Sequence, residues 1–223
     1  MDARYVYTDH CISVIMHLSQ SSEVWLFNCN ESTQHNLLKS QIKLSLISKI
    51  FITRFTISNI SGLSGLLSTL NLDNRSKALS IYGPRELETY LKFNNKYSQT
   101  NYSYPIRIHK LKFHNIFFDV LYTVRMISLE KMNQEVGYII AFRQSLGKFN
   151  LSYATTFNII RGPLYGQLKQ HNNFLTPDGH EIQGKQFSSI AQKGQKILIT
   201  PSLKNHKLLK ELCWQVNYII YTY

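Results

Sequence analysis

What this 223-residue chain has little of narrows its reading before any motif is sought. Cysteine occurs only at Cys11, Cys29 and Cys213. The number is odd and the spacings match no metal pattern, so the thiols read as buried and free in a reducing compartment. No apolar run reaches the roughly 18 residues that cross a bilayer, so no membrane span is expected. The opening "MDARYVYTDHCISVIMHL" lacks a basic leader with a long apolar stretch, and it lacks the Arg- and Ser-rich character of a transit peptide. Acidic side chains are also short: 13 against 25 Lys and Arg, a formal net charge of +12 and a pI near 9.6. That imbalance favours a polyanionic partner, nucleic acid first and an anionic membrane surface second, with a merely solvated basic face as the plain alternative. Against these deficits stand 43% hydrophobic and 13% aromatic residues, enough for a folded core in a single domain of residues 1–223.

Hydrophobic patterning lays out an α/β rhythm. Residues 10–27 read as two strands joined by the polar turn "SQSSE", the second being "VWLFNC". Ser32 or Thr33 can cap a helix through His35, Leu37, Leu38 and Ile42, and "ISKIFITRFTI" supplies the next strand. That strand runs into a junction where Ser58 and Asn59 read as a helix cap before Ile60, Leu63, Leu66, Leu67 and Leu70 at helical spacing. "ALSIYG" predicts a short strand, with Pro84 opening a helix "PRELETYLKF". From Tyr102 to Ile140 the alternation predicts several strands. Residues 143–169 mix Gly, basic and aromatic residues with little periodicity and read as an arm-like extension. "LTPDGHEI" is a hairpin signal, "QKILIT" a strand, "KNHKLLKELC" a helix, and "NYIIYT" a final strand.

Together these segments resemble ribonuclease Z, the zinc endonuclease of the metallo-β-lactamase fold that trims the 3′ trailer of precursor tRNA. "VWLFNCNESTQHNLLKS" is similar to the family's W-L-F-D-C-G-E-G-T-Q-H stretch, "GLSGLLSTL" to its G-L-P-G-L-L-S helix, and "LSIYGPRELETYL" to its I-Y-G-P element. "VGY" is similar to its S-x-G-Y strand, and "RGPLYGQLKQ" with "LTPDGHEI" to its G-P-L-F-G-x-L-K segment and following hairpin. The resemblance implies an α+β sandwich in αββα layers, truncated at its C-terminal end, with a projecting arm. Such a cut would leave an apolar face or edge at "NYIIYT" for a partner to cover.

The same resemblance exposes a loss. Where the family writes T-H-x-H-x-D-H to hold two zinc ions, this chain has Thr53, Arg54, Phe55, Thr56, Ile57, Ser58 and Asn59. A guanidinium stays charged and repels a dication, so Arg54 opposes the role of the imidazole it replaces. A further family histidine falls at Lys131 and the bridging aspartate at Ser202, while two later histidines fall beyond Tyr223. The glycine loop has become Asn28 to Ser32, where Asn30 is expected to take the left-handed conformation. None of the eight histidines rebuilds a ligand pair; His109 and His114, five apart, point to opposite faces if one strand carries both.

The expectation is therefore a catalytically silent ribonuclease Z-like protein with no cofactor. In the family an arm grips the tRNA elbow, and here its segment carries Arg143, Lys148, Arg161 and Lys169 with Phe149, Tyr153, Phe157 and Tyr165 between them. The cations suit phosphates and the rings suit base stacking, unless the rings pack the arm itself. Gly147 and the Gly162-Pro163 pair read as its bending points. tRNA or precursor tRNA, a second copy, or an active homologue are the implied partners. Two other readings stay open: trailer cleavage with a partner-supplied or unrecognised metal, and a decaying reading frame. Abundant Asn, Ile, Lys, Tyr and Ser with scarce Ala suggest an AT-rich genome, hence a plastid stroma if organelle-encoded and the cytoplasm otherwise.

Overall fold

The computed structural model describes residues 2–7, 12–18, 21–110, 114–119, 121–129, 135–144, 146–157, 159–175, 179, 181–189, 193–201, 211 and 214–222. The chain divides into two compact units: one comprises Met1–Phe117, Val124–Ile140 and Ile197–Tyr223, the other Phe118–Thr123 and Ala141–Lys196.

In the first unit a six-stranded sheet runs β1 (Asp2–Tyr7), β2 (Ile12–Leu18), β3 (Glu23–Phe27), β4 (Ile47–Phe51), β5 (Leu79–Gly83), β6 (Ile106–Lys110) in spatial as in sequence order. The first three are antiparallel neighbours and the last four parallel ones. Strand β1 is absent from the sequence reading, although Tyr5, Val6 and Tyr7 are good strand formers; it pairs with β2 from Ile12 to His17. Four helices, α1 (Thr33–Lys39), α2 (Ile57–Ile60), α3 (Leu63–Leu72) and α4 (Glu86–Ser98), fall in the connections. Because side chains alternate across a strand, Val24, Leu26, Ile50 and Ile81 face one way, and they cluster with Leu37 of α1, Leu66 and Leu70 of α3 and Leu91 of α4. Burying each such side chain is worth about 1.5–3 kcal/mol.

The opposite face is aromatic. Phe27, Phe51, Tyr82 and His109 stand side by side on β3 to β6, ring to ring at 4.7, 4.9 and 4.6 Å, each pair stacked within 13°. Register produces this row, since Phe27 pairs with Phe51, Phe51 with Tyr82 and Tyr82 with His109. A second sheet, in the order β13 (Tyr218–Tyr221), β12 (Lys196–Thr200), β9 (Val136–Phe142), β8 (Tyr122–Ser128), β7 (His114–Phe118), meets that row through Tyr138. Tyr138 sits edge-on to Phe51 at 5.2 Å and donates to the Ile52 carbonyl at 2.8 Å. Burial holds its phenol well above the ordinary tyrosine range. His109 and His114 lie on separate strands in separate sheets, so the single strand pictured from their spacing does not exist. Strand β13 lies at the sheet edge, parallel to β12, with Tyr218 and Ile219 exposed.

The second unit holds α5 (Leu151–Thr156), α6 (Pro163–Lys169) and the short antiparallel pair β10 (Phe174–Leu175) and β11 (Glu181–Ile182). Segment 143–169 thus contains two helices where weak periodicity predicted none; each is under two turns, too short for a 3.6-residue pattern to repeat. The helix predicted over 204–213 lies outside the described residues, apart from Glu211.

Candidate functional site

The predicted strand to Ile57 stops early. Strand β4 ends at Phe51, because the Thr53 amide turns to the Asn28 side-chain oxygen at 2.9 Å instead of to a neighbouring strand. The Thr53 hydroxyl donates to the same oxygen at 3.0 Å and lies 3.3 Å from the hydroxyl of Thr222. Asn28, and not Asn30, carries the left-handed backbone, with φ of 58°. Asn30 instead accepts from the hydroxyls of Ser13 and Thr33 inside the core, which removes Thr33 as a helix cap; Ser32 precedes α1 without a capping bond.

Beyond Thr53 the chain makes one turn of helix, breaks at Ser61 and Gly62, and restarts as α3. The break is a close approach. Gly62 donates to the Cys29 carbonyl at 3.0 Å, and a Cβ at this position would stand 2.1 Å from the Asn30 carbonyl oxygen. Cys29 is fully buried there, and burial pushes its thiol up to about 12, which leaves it without reactive thiolate. Cys11 and Cys213 lie outside the described residues.

The sequence-predicted positions come together as follows. Arg54 forms an ion pair with Glu135, whose side chain is only 3% exposed against 40% for Arg54, and the two backbones meet in an antiparallel bridge. Thr56 and Ser58 bring their hydroxyls within 3.2 Å of each other, and Asn59, inside α2 and not at its cap, donates to the Arg54 carbonyl at 3.3 Å. Lys131 lies outside the described residues, and so does Ser202. Glu135 was not singled out from sequence. Its signal was available: it stands two residues before Gly137, at the serine of the S-x-G-Y pattern, so an acid has entered there while a cation has entered at position 54.

This donor set does not fit a zinc pair. Zinc is held by imidazole nitrogens, thiolates and carboxylates, whereas the junction offers a guanidinium, two hydroxyls and a carboxamide, and its one carboxylate is engaged by Arg54. Among the described residues no three His, Cys, Asp or Glu side chains converge.

Within the second unit, Arg143, Lys148, Arg161 and Lys169 are all exposed, and among the described residues none is in an ion pair. The aromatic residues between them behave differently. Tyr153, Phe157 and Phe149 gather round the fully buried Phe187 at 5.1, 5.5 and 6.2 Å, with Tyr165 on Phe149 at 4.8 Å. Phe187 forms the core of the unit with Ala154, Leu168 and Ile182; Phe149, Tyr153 and Tyr165 pack against it half-buried, while Phe157 stays exposed. Gly147 is no bending point: it is buried, a Cβ would lie 1.8 Å from the Ser189 carbonyl oxygen, and Lys148 and Ser189 exchange bonds at 2.8 and 2.9 Å. Gly162, with φ of 177°, is in extended backbone open to any residue.

No protein-family model matches the chain. It is 44% identical over 203 residues to the Porphyra purpurea protein called uncharacterized protein ycf56, covering 91% of this chain and 77% of that one. It is 40% identical over 185 residues to ribonuclease Z of a Cyanothece strain, covering 83% of this chain but only 58% of the enzyme. The crystal structure of human short-form tRNase Z aligns with a TM-score of 0.56 at 26% identity, over 63% of this chain and 64% of that one. A long-form RNase Z from yeast aligns with a TM-score of 0.65 over 99% of this chain and 32% of its own, at 12% identity a likeness of fold alone. Sheet order, motif positions and these relatives agree: the chain has the metallo-β-lactamase fold and belongs to the ribonuclease Z family, beside the ycf56 proteins, with its metal-ligand motif replaced.

Proposed function

We propose that this protein is a catalytically silent ribonuclease Z-like chain that needs no zinc and binds tRNA or precursor tRNA through Arg143, Lys148, Arg161 and Lys169. It acts as a homodimer or beside an active homologue. The reading rests on the Arg54–Glu135 pair, which fills the junction with a permanent cation already neutralised by a buried carboxylate. Two-metal hydrolysis needs ligands that neutralise and orient two dications; here the charge is inverted and engaged within the fold. Arg143, Lys148, Arg161 and Lys169, exposed and unpaired among the described residues, supply what a polyanion requires. Red-algal relatives bearing ycf names support a plastid stroma as the place of action. Among the described residues no helix is long and apolar enough to cross a membrane.

The deciding experiment is elemental analysis of the purified chain beside a trailer-cleavage assay on precursor tRNA. Substoichiometric zinc and intact precursor are expected. Zinc held through extensive dialysis, together with trimmed product, overturns the silent assignment and favours the residual endonuclease.

A further inference from the structure

Helix α4 carries a surface that neither the fold nor the proposed arm contacts account for. Phe93 and Tyr97, one turn apart, are 52% and 76% exposed, and their rings lie nearly parallel at 6.2 Å with 14° between planes. Solvent-facing aromatic pairs cost hydration free energy that core packing does not return. On the helix wheel Lys92 and Lys96 stand between this pair and the inward-facing Leu91 and Asn95. Lys92 is paired with Glu88 at 2.8 Å, while Lys96 lies 5.9 Å from the Tyr97 ring centre. On the inward side of the lysines is a groove of about 440 Å³, lined among others by Asn95, Thr100, Asn101 and Tyr102. Its far wall is held in place: Asn71 accepts from the Ser103 amide and hydroxyl at 2.7 and 2.9 Å, and Tyr104 donates to the Leu67 carbonyl at 3.0 Å. The Asn95 side-chain oxygen beside the groove has no hydrogen-bond partner among the described residues.

We infer that this face of α4 is a second nucleic-acid contact, one that takes a single-stranded RNA segment by stacking a base on Phe93 and Tyr97 and setting the adjoining phosphate at Lys96. Sequence-tolerant single-strand binding combines exposed rings with a neighbouring cation, and both are here on one helix. Lysines near a helix C-terminus complement its dipole and explain themselves; an exposed stacked ring pair beside a preformed polar groove does not. The polar wall of Asn95, Thr100 and Asn101, with a net charge of +12 over the chain, favours a polyanion over an apolar protein surface.

A short fluorescein-labelled oligouridylate, titrated into the full-length chain by anisotropy over a salt series, tests this. Phe93→Ala with Tyr97→Ala should weaken binding at least about tenfold, since stacking on one ring carries about that much. Lys96→Ala should lower the logarithmic salt slope by about 0.7. Both rings are exposed, so these variants keep the wild-type melt; Tyr97→Trp should retain affinity and show indole quenching on titration that the wild type lacks. Introduced into a Lys148→Ala, Arg161→Ala background, the ring double variant should still weaken oligouridylate binding at least about tenfold; a ring effect that vanishes in that background assigns it to the arm contacts and overturns the inference. Equal affinity of wild type and the ring double variant overturns the inference, as does indole emission of the Tyr97→Trp variant that saturating oligomer leaves unquenched. So does unchanged RNA affinity with a loss of self-association in sedimentation, which assigns the rings to a protein contact.

Discussion

The ligand-less junction of the first unit and the cationic surface of the second handle charge in opposite ways. At the junction Arg54 is engaged internally, tied to a carboxylate that the fold has buried. In the second unit Phe149, Tyr153 and Tyr165 pack against the buried Phe187, and Arg143, Lys148, Arg161 and Lys169 are left in water, unpaired among the described residues. A paired cation stabilises its own chain and attracts little, while unpaired cations gather counterions that a nucleic acid can replace. Loss of a metal site in a fold that keeps its shape therefore requires something to hold the vacated turn, and here an ion pair at an isolated backbone bridge does so.

The contrast can be broken from either side. The largest effect is expected for Phe187→Ala, which removes the ring that Phe149, Tyr153 and Phe157 pack around. About 3–5 kcal/mol should be lost, and limited proteolysis should cut within 141–196 at protease levels that spare the wild type. Arg54→Ala comes next. It leaves Glu135 buried without its cation and should cost about 1–3 kcal/mol by denaturant melt, whereas Arg54→Ala with Glu135→Ala should recover part of that loss, the coupling being read from a double-mutant cycle. Neither change at the junction should alter tRNA affinity. Replacing Lys148 and Arg161 together with Ala should leave the melt within about 0.5 kcal/mol of wild type; filter binding should show the salt slope for precursor tRNA falling by about one to two units.

The smallest effect concerns His109 on the aromatic row. Burial, with help from the nearby Arg107 cation, holds its imidazole below the ordinary histidine value. The unfolded chain then takes up a proton near pH 6.5 while the folded chain resists it. Its contribution is present above about pH 6.5 and is lost as the pH falls from there through the folded value. The stability difference between wild type and His109→Gln should shrink between about pH 7 and pH 5.

Much of the fold was legible in the sequence because it is carried by local signals. Short apolar runs placed β3, β5 and β12, alternation placed β9, helical spacing placed α3, and Pro84 marked the approach to α4, which starts at Glu86. Boundaries moved where a tertiary bond overrode propensity: β4 stops at Phe51 because Asn28 captures the Thr53 amide, and α2 is cut from α3 because Gly62 must let the Asn30 carbonyl approach. The second unit was least legible, since its helices are short and its hub, Phe187, lies in a segment with no periodicity at all.

The sequence by itself determined the family, much of the order of elements between β2 and β9, and the replacement of the zinc motif at residues 53–59, because each is written in contiguous residues. Tertiary structure alone decided that Arg54 meets Glu135, that Phe149, Tyr153 and Tyr165 turn inward, and that Phe93 and Tyr97 stay outside. Burial and pairing are properties of space, and residues distant along the chain become partners only when the sheets and helices close around them.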